Sequence, residues 1–349
     1  MRLLPAVALA LAAPAVAQDA AEPVTPASVV AAAPASDWRA IDPADLLVMT
    51  LAPDRDGRPR TVVVQLMPAP LSQGWVGNVR TLAKAHWWDG TSVYRVVDNW
   101  VAQWGDVDET KPLPESVVSP VADYEVTDAP FTSAGFGTHF VLNPLAESPA
   151  VVGGKVILRD IALTHYGTFY QGFPVAGYEN PHHGISWPTH CYASVGVARD
   201  TETTGTGSEL YAVIGHAPRQ LDRNIAVVGR VIEGIEHLST LPRGKGEAGV
   251  YDDAALRVPI VSVRLGDELP ETERPRFEYL GSDTDSFARY VQVRANRNDP
   301  FYKVPAGGID VCNVQVPIRR VPAESPTPFA SPRPCRCGRP RNTAGSATS

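Results

Sequence analysis

Residues 93 to 106 read Val-Tyr-Arg-Val-Val-Asp-Asn-Trp-Val-Ala-Gln-Trp-Gly-Asp. Arg95 lies inside a β-branched run, Val93 to Val97, and Gln103 ends a second apolar run before Trp104-Gly105-Asp106 turns the chain. A guanidinium is a permanent planar donor, and a primary amide both donates and accepts. Taken alone, an arginine in a strand is a surface charge or an ion-pair partner, and a glutamine there is an edge hydrogen-bonder. Other reactive combinations are weaker. His182, His183 and His190 cluster in a Pro/Gly-rich loop, but a metal site needs a further ligand in fixed geometry, so surface histidines are expected. Gly205-Thr206-Gly207-Ser208 lacks the lysine of a phosphate loop and reads as a turn. Neither His-Glu-x-x-His nor Gly-x-Ser-x-Gly occurs. No metal and no cofactor is expected.

The elements that must carry these residues follow from periodicity. Thr61 to Leu66 is a β-branched strand, closed by Pro68 and Pro70. Trp75 to Trp87 places Val76, Val79, Leu82 and Ala83 at helical spacing. Asp89-Gly90 is a turn into the Arg95 strands. Residues 107 to about 190 are the least regular part, with short strand-like pieces such as Lys155 to Leu158. Strands resume at Cys191 to Ala198, Glu209 to Ile214 and Ala226 to Val231, and a short helix is expected over Ile232 to Leu238. Val261, Val263 and Leu265 alternate as in a half-buried strand, and residues 284 to 297 suit a further helix. Many short strands, few helices and no βα alternation point to a closed or nearly closed antiparallel barrel.

The 349 residues allow one large domain or two small ones, and 44% hydrophobic content can fill a substantial core. A formal net charge of −7 argues against nonspecific nucleic-acid binding, which needs a basic face. Arg2, the apolar run Leu3 to Ala13 and Ala15-Val16-Ala17 form a signal-peptide pattern, with removal expected after Ala17. That run is too short to span a bilayer, and no later segment is long and apolar enough, so no membrane insertion is expected. The expected location is the periplasm, with secretion as second choice. Residues 18 to 36 read as a flexible linker. From Pro317 the chain is Pro/Arg/Ser-rich and reads as a disordered tail, 317–349. Export permits disulfides. Cys191 and Cys312 could pair, which sequence cannot decide, and Cys335-Arg336-Cys337 reads as two unpaired thiols.

The 93–106 segment resembles the cyclophilin signature Phe-His-Arg-Val-Ile-x-x-Phe-Met-x-Gln-Gly-Gly-Asp, with the Arg95 to Gln103 spacing kept. The resemblance continues in family order over roughly residues 60 to 245. Val62 to Leu66 looks like the first family strand, Asn78-Val79-Arg80-Thr81-Leu82 like Asn-Phe-x-x-Leu, and Trp88-Asp89-Gly90 like Tyr-Asp-Gly. Gly207-Ser208-Glu209-Leu210-Tyr211 resembles Gly-Ser-Gln-Phe-Phe. Leu221-Asp222 and Val227 to Gly234 resemble Leu-Asp-Gly and Val-Phe-Gly-Lys-Val-x-Glu-Gly. The resemblance implies a mainly β fold: a closed eight-stranded antiparallel barrel capped by two helices. Here it would span 37–270, with a long insertion at about 107–190 and a partly helical C-terminal extension over 271–316.

It also implies the activity, peptidyl-prolyl cis-trans isomerisation, on proline-containing peptides and unfolded or partly folded exported proteins. A monomer is expected. Arg95 would be the catalytic residue and Gln103 would hold substrate backbone. Trp100, Val101, Tyr211 and Leu221 would form the proline pocket, with Ala198 in the neighbouring groove. The chain departs from the family pattern at several of these positions. Val93-Tyr94 replaces Phe-His, and Trp100 and Val101 replace Phe and Met. Tyr211 replaces Phe, so its hydroxyl needs a partner if buried. Glu209 replaces Gln, Arg199 stands where Asn is common, and Ile225 replaces His. Gln220 falls where many members carry a cyclosporin-contacting Trp, so weak cyclosporin binding is expected. The altered pocket leaves an alternative: a catalytically weak or inactive proline-peptide-binding chaperone or scaffold.

Overall fold

The computed structural model describes residues 23–127, 139–142, 150–158, 166–179 and 184–322. The expected signal peptide, His182, His183, Cys335 and Cys337 lie outside them. Along the chain come α1 (Pro26–Ala32), β1 (Trp38–Ala40), β2 (Leu46–Leu51), β3 (Arg60–Leu66), α2 (Gln73–Lys84), β4 (Ser92–Val96) and β5 (Val101–Gly105). The middle carries β6 (Val126–Thr127), β7 (His139–Leu142), β8 (Ala150–Leu158), β9 (Tyr166–Tyr170), β10 (Phe173–Glu179) and β11 (Gly184–Pro188). There follow β12 (Ser194–Val197), β13 (Leu210–Val213), β14 (Val227–Glu233), α3 (Glu236–Ser239) and β15 (Val258–Leu265). The last are β16 (Phe277–Leu280), α4 (Asp285–Ala295) and β17 (Ile318–Arg320).

Eight strands close a barrel in the order β12-β13-β5-β4-β15-β2-β3-β14, and each neighbouring pair is antiparallel. Closure leaves no strand edge unpaired in the ring. Alternate residues fill the interior: Met49, Val62, Val64, Val93, Ala102, Trp104, Leu210 and Ala212 belong to one buried cluster. α2 covers one end with Trp75, Val76, Val79, Leu82 and Ala83, all buried, as the helical spacing predicts. Leu238 of α3 joins the same cluster. Among the described residues no helix is long and apolar enough to cross a membrane.

Several expectations need correction. The strand over residues 61 to 66 is the second of the barrel along the chain, because β2 precedes it and pairs with it along its whole length. β3 lacks alternation because both faces are covered: Val62 and Val64 point into the barrel core, and Val63 packs with Phe277 and Tyr279 outside it. In β15 the register shifts between Ile260 and Ser262, so Val261 is exposed while Ile260, Val263 and Leu265 are buried. The short helix begins at Glu236, because β14 runs on through Ile232 and Glu233.

The segment expected as a linker, 18–36, contains α1. Pro26 sits in its first turn, and Thr25 and Ser28 close a reciprocal capping box. Val29 of α1 packs in one cluster with Trp38, Phe287, Val291 and Val311, so burial supplies what composition did not suggest. The tail expected to be disordered from 317 begins with β17, which pairs with β16, and β16 in turn pairs with β1. The N-terminal strand therefore belongs with the C-terminal extension rather than with the barrel. The irregular middle forms a six-stranded sheet, β6-β11-β10-β9-β8-β7. Its Phe173 and Val175 enter the barrel cluster, whereas Phe169 stacks edge-on to Phe287 of α4 at 5.2 Å. A disulfide joins Cys191, just before β12, to Cys312 in the extension.

Candidate active site

Strict alternation would put Arg95 on the same face as Val93, inside the barrel. A bulge prevents this. In the β4–β5 ladder Val93 faces Trp104 and Arg95 faces Gln103, with the register shifted between Val93 and Arg95 at Tyr94. Val93 and Val96 therefore point inward while Arg95 points outward. On β5 and β13, Ala102, Trp104, Leu210 and Ala212 fill the core, so Val101, Gln103, Tyr211 and Val213 share the outer face.

Arg95 is held at two points. Its Nη1 donates to Gln103 Oε1 at 2.8 Å and its Nε to the Ala248 carbonyl at 2.7 Å. None of the described residues hydrogen-bonds its Nη2. The guanidinium carbon lies 5.4 Å from the Trp100 ring centroid, and partial burial lowers the Arg95 pKa from its usual value. Behind it the hydrogen bonds continue. Gln103 Nε2 donates to the Tyr94 hydroxyl at 2.5 Å, and that hydroxyl donates to Glu209 Oε2 at 2.8 Å. Glu209 Oε1 accepts from the Asp106 amide at 2.7 Å. Burial, then the Glu209 charge, drives the Tyr94 phenol far above its ordinary pKa, so it remains a donor. Burial also raises the Glu209 carboxyl above the usual carboxylate value, against the hydrogen bonds from Tyr94 and Asp106. Gly105, at φ 152°, makes room for this acid: a Cβ there would meet Glu209 Oε1 at 2.0 Å.

Beside the guanidinium lies an apolar patch. Val101, Tyr211 and Val213 are buried, with Trp100, Ala198, Leu221 and Ile225 packed against them. Tyr211 lies across β12 at Gly196, where a Cβ would stand 2.3 Å from its Cζ. Its hydroxyl is 3.0 Å from His190 Nε2, which supplies the partner a buried tyrosine requires. The structure brings Arg95, Gln103, Trp100, Val101, Ala198, Tyr211 and Leu221 to one groove of about 660 Å³, together with Tyr94, Glu209 and Ile225. A larger hollow of about 1010 Å³, between the barrel and α1 and α4, contains none of these residues.

Two groups of site residues escaped the sequence reading. Tyr94 and Glu209 were visible only as departures from a pattern, although paired replacement of neighbours in space is itself a signal. His190 was expected at the surface, yet it is 0% exposed. Its ring spans Asp222 and Tyr211, and only the fold brings those residues to it. Among the described residues no group of three or more His, Cys, Asp or Glu could hold a metal ion.

Comparison with known proteins matches residues 61–265 to the family described as cyclophilin type peptidyl-prolyl cis-trans isomerase/CLD. The chain is similar in structure to the crystal structure of the cyclophilin AquaCyp293 from Hirschia baltica. That match has a TM-score of 0.59 and 21% identity, and covers 86% of this chain and 99% of the other. A cyclophilin type peptidyl-prolyl cis-trans isomerase from Cryptosporidium parvum matches with TM-score 0.34 and 12% identity over 63% of this chain and 96% of the other. No curated protein matches.

Proposed function

Because the chain belongs to the cyclophilin-type peptidyl-prolyl cis-trans isomerase family and is an enzyme of that type, we propose that it accelerates rotation about X-Pro bonds in exported proteins and so assists their folding. The observation that carries the proposed mechanism is the doubly tethered Arg95 guanidinium beside the apolar pocket.

A prolyl bond crosses a barrier of about 20 kcal/mol because its C–N bond has partial double-bond character. Uncatalysed isomerisation takes tens of seconds or more. Twisting breaks the resonance and localises a lone pair on the prolyl nitrogen. A donor fixed at that nitrogen binds the twisted state better than either planar isomer, which lowers the barrier by differential binding. In this reading Arg95 supplies the donor. Trp100, Val101, Tyr211 and Leu221 grip the ring, and Gln103 orients Arg95 and holds substrate backbone. Ala198 lines the adjoining groove. Rotation is then confined to one side of the bond, and no covalent step is needed.

The periplasm is the proposed compartment, with secretion as second choice. The N-terminal pattern supports export, and so does the Cys191–Cys312 disulfide, which persists in oxidising compartments. The clients proposed are proline-containing segments of unfolded or partly folded exported proteins.

The test is cis-trans exchange of a short Ala-Pro peptide, followed by NMR with the protein and its Arg95→Ala variant. Acceleration by the first and not the second is expected. Equal acceleration by both removes Arg95 from the mechanism. No acceleration by the folded wild type leaves a proline-peptide binder, the reading that the bulkier Trp100 and hydroxyl-bearing Tyr211 would then favour.

A further inference from the structure

The proline pocket rests on a buried polar chain that begins outside the barrel. His190 follows β11, the last strand of the inserted sheet, and precedes the disulfide-bonded Cys191. Its Nδ1 lies 3.0 Å from Asp222 Oδ1, and its own backbone amide donates to the same oxygen at 2.8 Å. Arg219 Nε donates to Asp222 Oδ2 at 2.5 Å. On the other side His190 Nε2 lies 3.0 Å from the Tyr211 hydroxyl, with the two rings within 17° of parallel.

The partners decide the protons. A carboxylate that accepts from Arg219 and from a backbone amide is an acceptor toward the ring as well, so Nδ1 carries the hydrogen. In the neutral ring Nε2 is then the acceptor, and the Tyr211 hydroxyl donates to it. Asp222 also ends the short turn Arg219–Leu221, and the Asn224 and Ile225 amides both bond the Leu221 carbonyl. One carboxylate thus sets two walls of the pocket: Tyr211 through His190, and Leu221 through the chain.

We propose that His190 and Asp222 are positioning residues for the proline pocket, a clamp through which the inserted sheet and its disulfide hold Tyr211 and Leu221 in the geometry that binds the ring. The proposal deepens the isomerase reading and rests on it. His190 has no exposed surface, so its side chain reaches substrate through Tyr211, while Asp222 keeps its bonds from Arg219 and the residue-190 amide when the ring is replaced.

The test uses the full chain from Gln18. His190→Leu leaves the buried Tyr211 hydroxyl without its acceptor, which lowers kcat/KM for an Ala-Pro peptide by roughly tenfold, mostly through KM. In a Tyr211→Phe background the same substitution changes kcat/KM by less than about twofold, because the group through which it acts is gone. An equal loss in both backgrounds, or no loss in a folded His190→Leu protein, overturns the clamp. A measurement on the unaltered protein avoids any failure to fold: the ¹⁵N resonances of the His190 ring are followed while the peptide is titrated. The clamp requires them to shift in step with saturation, and a saturated groove with unmoved His190 signals refutes it. If the wild type does not accelerate exchange at all, the isomerase reading fails on its own. The clamp is then judged by the same ratios in peptide Kd.

Discussion

Replacing Cys312 with serine removes the covalent tie between the barrel and the extension. The bond closes a loop between residues 121 apart in sequence. Loop-closure entropy for a loop of that length amounts to about 5 kcal/mol at 25 °C. Natural domains are stable by about 5–15 kcal/mol in total, so the loss is a third or more of the whole. Contacts apart from the bond also hold the extension, since Phe169 packs with Phe287, Val291 and Val311. The variant should therefore fold and unfold as one unit, with an m-value no lower than that of the wild type, because its unfolded chain is less constrained. Urea unfolding followed by tryptophan fluorescence measures both quantities. The wild type under reductant and the Cys191→Ser variant should show the same loss, and the double variant no more than either. A loss below about 1 kcal/mol refutes the loop-closure reasoning. A substantial fall in m refutes the single-unit premise, because the extension would then come away before the barrel melts.

Two further outcomes follow from the chain behind Arg95. As a carboxylate Glu209 is the stronger, charge-assisted acceptor for the Tyr94 hydroxyl, and burial raises its pKa. Exchange activity should fall as pH drops through that raised value, and Glu209→Gln should hold the lower activity at every pH, as a pH profile of exchange rates would show. The stability contribution runs the other way: a raised folded pKa favours folding at low pH and loses that benefit as pH rises through it. Glu209→Gln should therefore unfold at higher urea than the wild type at neutral pH; equal midpoints would contradict the desolvation argument. Gly105→Ala forces a Cβ into the Glu209 carboxylate at a positive φ. It should cost about 1–3 kcal/mol of stability and lower kcat, and unaltered kcat would separate Glu209 from the catalytic geometry.

What the sequence made legible is what local pattern carries. The helix of Val76, Val79, Leu82 and Ala83 follows from spacing, as do the strands around Val62 and Leu210, because one-sided burial imposes a period. The patch of Trp100, Val101, Tyr211 and Leu221 was reached through resemblance, and the fold brings it together. α1 was missed because an Ala/Pro/Val segment of seven residues has little helical signal, and it is the contact with α4 that orders it. The Arg95 face was not legible for a sharper reason. Alternation in Val93-Tyr94-Arg95-Val96 cannot put both valines inside, and counted from Val93 it sends the arginine inward, unless one residue is inserted out of register. That residue is Tyr94, whose hydroxyl links Gln103 to Glu209. A bulge that turns a guanidinium outward and spends its extra residue on orienting the neighbouring glutamine accounts for both departures at once. Glu209 in place of the family glutamine provides an acceptor for the tyrosine that replaces the family histidine. The two substitutions belong to one hydrogen-bonded unit, and the altered residues around Arg95 read as a re-engineered support for the same donor rather than as its decay.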